Sequence, residues 1–284
     1  MPASLEDNAS QEIASAKINL ALHVRNRLTN GYHALETLFA FLDCGDKLSV
    51  SAGEGFALSI HGPFGDGLSA DDNLVTRAAQ LLADHAGISA DATLRLEKHL
   101  PVASGIGGGS ADAAATLRLL NRFWNTGYSL LELGELSVKL GADVPACLRN
   151  RICLGEGIGD DLQTVSIGSL EGVYGLLVNP LLPLLTADVF AGWDGVDRGG
   201  LTSDIVKEFG FNGRNDLEQP AIALVPVIAD IIAVLEETDP LMCRMSGSGA
   251  TCFGLYPNQQ KAKLAEYVIL DRLPDMWTMI GGLQ

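Results

Sequence analysis

The sequence predicts an α+β fold built in two layers and divided into two domains, and three observations carry that prediction. Length is the first: 284 residues exceed one ordinary domain at about 100–200 residues each. Strand-like and helix-like segments alternate irregularly in both halves, which is the second. The third is composition. With 47% hydrophobic residues, 19% charged residues and 32 glycines, the chain has ordinary globular character together with many tight turns or backbone-lined loops. The domain boundary is expected at 163/164, giving domains 1–163 and 164–284.

Taken in order, residues 1–12 read as a loose leader and Ile13–Val24 as a strand. Asn30-Gly31 marks a turn. Lys47–Ser51 and Phe56–His61 alternate as strands about the glycines of 53–55. Asp71-Asp72-Asn73 opens a helix with Leu74, Ala78, Leu81 and Leu82 on one face and Gly87 past its end. A strand over 91–100 runs into the loop 101–110, behind which Ala113, Ala114, Leu117 and Leu120 fall at helical spacing. Ser129–Leu140 predicts a helix stopped by Gly141, followed by strands at Arg151–Leu154, Leu162–Ile167 and Val173–Val178. Helices are expected at 186–193, 201–209, 219–237 and 259–270, with strands around Cys243, at Thr251–Tyr256 and at 275–280.

Charge narrows the function classes. Lys and Arg total 19 against 35 Asp and Glu, a formal charge of −16. Such a surface repels nucleic-acid phosphates, so an anionic ligand must be met by locally concentrated donors. Cys44, Cys147, Cys153, Cys243 and Cys252 show no zinc-binding spacing and read as reduced core thiols. The polar, acidic start lacks a signal-peptide pattern, and no run of ~18 apolar residues occurs. The expectation is a cytoplasmic protein that acts on a small molecule, without nucleic acid or membrane partners, as a monomer or weak homodimer.

The most informative segment is Pro101, Val102, Ala103, Ser104, Gly105, Ile106, Gly107, Gly108, Gly109 and Ser110, between a strand and a helix. Glycines let backbone approach a ligand closely, and the unpaired N–H groups of a helix start favour an anion, phosphate above all. A Walker A loop is excluded because no Lys precedes Ser110, and a Rossmann fingerprint because Ser110 stands where a third glycine is required. A structural turn is the alternative.

The loop has company: AKINLALHV at 16–24, NGYHALETLFAFLD at 30–43, LPVASGIGGGSADAAA at 100–115, KLGADVPACL at 139–148, EGIGDDL at 156–162, TADVF at 186–190, NDLE at 215–218 and SGSGATCFGLY at 246–256. In order and spacing this set resembles the GHMP kinase superfamily over about residues 14–270. The triple glycine with Ser-Ala-Asp resembles in particular the branch whose acceptor is a cytidine-diphosphate-linked methylerythritol. The resemblance implies an N-terminal domain like the second domain of ribosomal protein S5, a C-terminal ferredoxin-like sandwich, and phosphoryl transfer from ATP with Mg²⁺ to an alcohol.

Lys17 stands in an apolar strand-like stretch, where its ammonium needs an anionic partner or a solvent-facing position. Asp143, in a loop of small residues, suits a turn as well as a site. The resemblance implies that Asp143 is the base toward the acceptor hydroxyl and that Lys17 pairs with it. It also implies nucleotide binding along 101–110, where Ser110, whose hydroxyl follows the glycines at the helix start, is the candidate to touch the metal or a β-phosphate oxygen. Lys98 is a further phosphate candidate, although an exposed strand end is the preferred reading of that residue. Tyr32 and His33 would bind the cytosine and Phe190 would close its other face, with Asn19 and Thr186 as polar contacts. Ser246, Gly247, Ser248 and Gly249 would line the substrate site. The stretch LLPLLTADVF departs from the Pro or Ser that the family carries near Thr186, which leaves its local path open. A catalytically dead binding module is the rival from another class, and retention of both Lys17 and Asp143 argues against it.

Overall fold

Seventeen residues, Gln11–Arg27, form the first strand, β1, in a computed structural model that describes residues 10–165 and 170–284. The strand starts inside the expected leader because Glu12 is pinned by Arg118 at 2.7 Å and by Arg122 at 2.5 Å. The second strand, β2, runs unbroken over His33–Ser51, whereas the sequence suggested only its last five residues. Phe39–Leu42 are all buried, so the alternation that announces a strand is absent there.

The described residues fall into two compact units that take alternating stretches of chain. The first holds 10–16, 45–102 and 108–149. In it the end of β2 pairs antiparallel with β4 (Ala92–Glu97), and β4 pairs parallel with β3 (Phe56–His61). Leu94 and Leu96 turn inward from β4. Helix α1 (Leu74–Ala86) buries Val75, Ala78, Ala79 and Leu82, and is bounded by an Asn73 cap and a left-handed Gly87. It packs on α2 (Gly108–Phe123), whose Ala113, Ala114, Leu117 and Leu120 are buried. A Ser129–Glu132 capping box starts α3 (Leu130–Ser137). A helix the sequence did not reveal, α4 (Val144–Arg149), follows. Pro145 is harmless in its first turn, where an N–H has no intrahelical partner.

The second unit holds 17–44, 103–107, 150–165 and 170–284. The front of β2 pairs with β5 (Cys153–Glu156), which pairs with β6 (Asp161–Thr164). Of the strand expected at 162–167, residues 166 and 167 lie outside the described residues. A four-stranded antiparallel sheet runs in the order β10 (Trp277–Gly282), β7 (Tyr174–Asn179), β9 (Cys252–Tyr256), β8 (Met242–Met245). Numbered within this sheet, that order is fourth, first, third, second, with helical connections after the first and third strands, which is the ferredoxin-like arrangement expected. Between β7 and β8 lie α5 (Thr186–Ala191), α6 (Ser203–Lys207), α7 (Glu218–Leu224) and α8 (Val227–Glu237). The single helix expected over 219–237 is thus two, because Pro226 cannot continue the α7 hydrogen-bond ladder. Helices α8 and α9 (Gln259–Arg272) pack on the sheet over Ile228, Ile231, Leu235, Ala262 and Ile269.

Candidate active site

The glycine loop owes its path to local backbone geometry. Gly105 has φ +79°, and a Cβ there would fall 2.6 Å from the Ser246 carbonyl oxygen and 2.7 Å from that of Gly249. Only glycine meets both demands. Gly107 has φ +66°, with the Lys17 Cε 3.1 Å from where a Cβ would stand. Gly108 and Gly109 lie inside α2, so that Ser110 ends up in the helix's opening turn with its unpaired N–H groups. The exposed Val102 and Ala103 precede the buried Ser104 and Ile106, whose carbonyl oxygens accept from Thr251 N and Lys17 N, both at 3.1 Å.

Lys17 is only 4% exposed. Its Nζ donates to Asn19 Oδ1 at 3.2 Å and lies 5.0 Å from the centre of the Phe39 ring, within cation–π range. The Asn19 amide donates to Thr37 Oγ1 at 2.7 Å, and the Asn19 backbone N–H to Ser246 Oγ at 3.2 Å. Ser246 Oγ in turn donates to the Gly105 carbonyl at 3.1 Å. The predicted Lys17, Asn19, Gly105 and Ser246 therefore converge in one hydrogen-bonded cluster of the second unit. Gly247 and Gly249 continue the same turn, and Thr186 Oγ1 meets Ser248 Oγ at 2.9 Å.

A cavity of about 900 Å³ is lined by Tyr32, His33, Thr186 and Phe190, with Arg27 and Trp193. Its size suits a nucleoside-sized ligand. His33 stacks on Phe190 with centroids 5.0 Å apart and planes 25° from parallel. Burial, with the nearby Arg27 cation, holds the His33 imidazole below its ordinary pKa. Tyr32 stands 61% exposed on the turn before β2.

Lys98 corrects the sequence reading. It is not an exposed strand end but is buried to 4%, between Asp46 and, at 2.7 Å, Asp112. Asp46 Oδ1 also accepts the Leu100 N–H at 2.8 Å, so the cluster fixes the chain where β4 enters the loop. Burial pulls the Lys98 pKa down, but the two carboxylates outweigh it and the net shift is upward. Burial pushes Asp112 up to about 8.

Asp143 belongs to the first unit, directly before α4, with its carbonyl accepting from Cys147 N at 3.1 Å. Among the described residues no group of three or more His, Cys, Asp and Glu could hold a metal ion, and no helix is long and apolar enough to cross a membrane.

Residues 73–151 match the GHMP kinases N terminal domain and residues 198–274 the GHMP kinases C terminal domain. The 4-diphosphocytidyl-2-C-methyl-D-erythritol kinase of Novosphingobium aromaticivorans is 46% identical, over 96% of this chain and 93% of that protein. This chain belongs to the GHMP kinase family. A crystal structure of 4-(cytidine 5'-diphospho)-2C-methyl-D-erythritol kinase superposes with a TM-score of 0.81 at 30% identity, covering 96% of this GHMP kinase and 99% of the other chain. The homoserine kinase of Cytophaga hutchinsonii has a TM-score of 0.69 at 18% identity, over 100% and 99% of the two chains, and shares the fold. Kinases of the family take their phosphoryl group from ATP.

Sequence reasoning did not single out several residues around this candidate site. Asn215 donates through Nδ2 to the carbonyls of Met245 and Gly247, at 2.9 and 2.8 Å, and so holds the 246–249 turn. Glu218 accepts from Met245 N at 3.0 Å. The NDLE motif carried that signal, but nothing in its spacing tells which backbone it grips. Trp193 and Arg27 gave no signal beyond their types.

Proposed function

We propose that this GHMP kinase transfers the γ-phosphoryl group of ATP to the 2-hydroxyl of 4-diphosphocytidyl-2-C-methyl-D-erythritol, a step toward isoprenoid precursors. One observation carries the choice of acceptor: the aromatic cavity of Tyr32, His33 and Phe190. Aromatic rings stack on a flat base, whereas homoserine and mevalonate, acceptors of kinases with the same fold, have no ring to stack. The relatives at 46% and 45% identity carry the same enzyme name.

In this reading the backbone of 101–110 cradles the triphosphate, favoured by glycines that bring N–H groups close and by the start of α2. Ser110, in the first turn of α2, would stand near the Mg²⁺ that accompanies the nucleotide, and that ion would supply charge neutralisation at the phosphates. Asp143 orients the acceptor hydroxyl in line with the γ-phosphorus and takes its proton as the new O–P bond forms and ADP leaves. The buried Lys17 ammonium, next to Gly107, steadies the charge that develops. Asn19, Thr186 and the turn Ser246, Gly247, Ser248 and Gly249 hold the acceptor. Because Lys98 is held between Asp46 and Asp112, its service to the nucleotide is to fix the start of the loop. The proposal divides the chain functionally at 163/164, the first part binding ATP, in a cytoplasmic monomer or weak homodimer.

The test is a coupled ADP-release assay over a panel of acceptors. The cytidine-linked methylerythritol should be turned over at least a hundredfold more efficiently than homoserine or mevalonate, by the discrimination a site built for a missing group achieves, about 10⁴ at best. Equal turnover of an aliphatic acceptor would sink the assignment.

A further inference from the structure

Trp193 follows the last turn of α5, where its own N–H bonds to the Phe190 carbonyl at 3.2 Å, and its side chain forms part of the wall of the 900 Å³ cavity. It meets His33 edge-to-face, with centroids 5.6 Å apart and planes at 90°. Among the described residues its indole Nε1 is buried and finds no acceptor. Buried N–H groups are nearly always paired, and one left unpaired bears its full desolvation penalty. The neighbouring stack explains when a partner would arrive. His33 and Phe190, at 5.0 Å, leave no room for a third ring between them. A base stacked on that face of Phe190 would occupy the place of the His33 ring, and a ring in that place lies against the indole.

We infer that Trp193 is a specificity-determining residue of the acceptor site, its indole N–H donating to the carbonyl edge of the bound pyrimidine. The inference rests on the acceptor reading given above. An indole N–H only donates, so it recognises the O2 and N3 acceptors of cytosine and not the exocyclic amino group. Phosphate and sugar oxygens are the other acceptors that the ligand offers near the base, and ribose 5-phosphate, which carries both, separates them from the pyrimidine.

Three tryptophans give three indole N–H resonances in the ¹⁵N-labelled protein, and Trp193→Phe identifies the one that disappears. In the unaltered protein, cytidine 5′-diphosphate should move that resonance downfield, the mark of a new hydrogen bond, whereas ribose 5-phosphate should leave it in place. Calorimetry should show cytidine 5′-diphosphate bound about three- to tenfold more weakly by Trp193→Phe, the worth of one neutral hydrogen bond, with ATP affinity retained as the sign of an intact fold. A Trp193 resonance unmoved by cytidine 5′-diphosphate overturns the inference, and so does a shift produced equally by ribose 5-phosphate. If the resonance moves only with the cytidine ligand, the inference stands even where the Phe variant folds poorly. If the unaltered protein does not bind cytidine 5′-diphosphate at all, the base reading of the cavity falls and this inference falls with it.

Discussion

Replacing Lys98 by Met keeps the length of the side chain and removes its charge from between Asp46 and Asp112. None of the three is more than 4% exposed, so water cannot take the place of the lost ammonium. Breaking a buried ion pair by deleting one partner costs about 3–5 kcal/mol. At about 2–4 °C per kcal/mol for a chain of this size, the melting temperature should fall by about 6–20 °C. Circular dichroism melts at pH 7 measure it. The same cluster sets a pH dependence. Burial raises the Asp112 pKa from its ordinary 3.8 to about 8 in the folded protein. Between those values the folded state holds a proton that the unfolded state has released, so stability falls as pH rises across the window. Asp112→Asn cannot titrate. The melting temperature of the Asn variant relative to the unaltered protein should therefore rise steadily from pH 4 to pH 8. A Lys98→Met variant melting within about 2 °C of the unaltered protein while losing ATP affinity would refute the reasoning, since the Lys98 charge would then serve phosphate instead of the fold. Parallel pH profiles for Asp112→Asn and the unaltered protein would refute the second half.

Asp143→Asn should lower kcat by about 10²–10⁴ with acceptor KM changed several-fold at most, and on the proposed roles the combination with Lys17→Met should be far from multiplicative; steady-state kinetics decide, and near-normal kcat for Asp143→Asn would remove Asp143 from the chemistry. Tyr32→Ala and Phe190→Ala should weaken cytidine 5′-diphosphate about 5- to 150-fold by calorimetry. ATP affinity should hardly change, and an equal loss of both ligands would point away from a base clamp. Gly105→Ala adds a Cβ at φ +79° against two carbonyl oxygens, so about 1–3 kcal/mol of strain should appear as a lower melting temperature. An Ala variant as stable as the parent would show that the loop has another path open to it.

Strands with one wet face announced themselves, as in β3 and β4, and so did helices with good caps, such as α1 and α3. The first half of β2 did not, because burial of Phe39, Ala40, Phe41 and Leu42 erased its period. Helix α4 hid behind a proline that only a first turn tolerates. The linked motifs made legible that Lys17, Asn19, Gly105 and Ser246 come together. Lys98 was misread because its partners, Asp46 and Asp112, stand 52 and 14 residues away, and charge pairing over such distances leaves no local pattern. Trp193 was invisible for the same reason: its neighbour His33 comes from a different element, 160 residues earlier.

Residues 17–44 and 103–107 belong to the same compact unit as the C-terminal sheet, and Thr251 N reaches back to the Ser104 carbonyl. A ribosome releases those early segments long before their partners exist. At about 5–20 residues per second, the wait between residue 44 and residue 251 is on the order of 10–40 s. During that time Ile18, Leu20 and Leu22 have only part of their final surroundings. Vectorial synthesis thus favours the first unit, whose stretches end at residue 149, and leaves the strand carrying Lys17 to be completed last. Pulse-labelled nascent chains halted near residue 160 should already protect α1 and α2 from proteolysis while leaving 17–44 open to cleavage or to a holdase. The cluster around Lys17 in the second unit is thus the last to be completed.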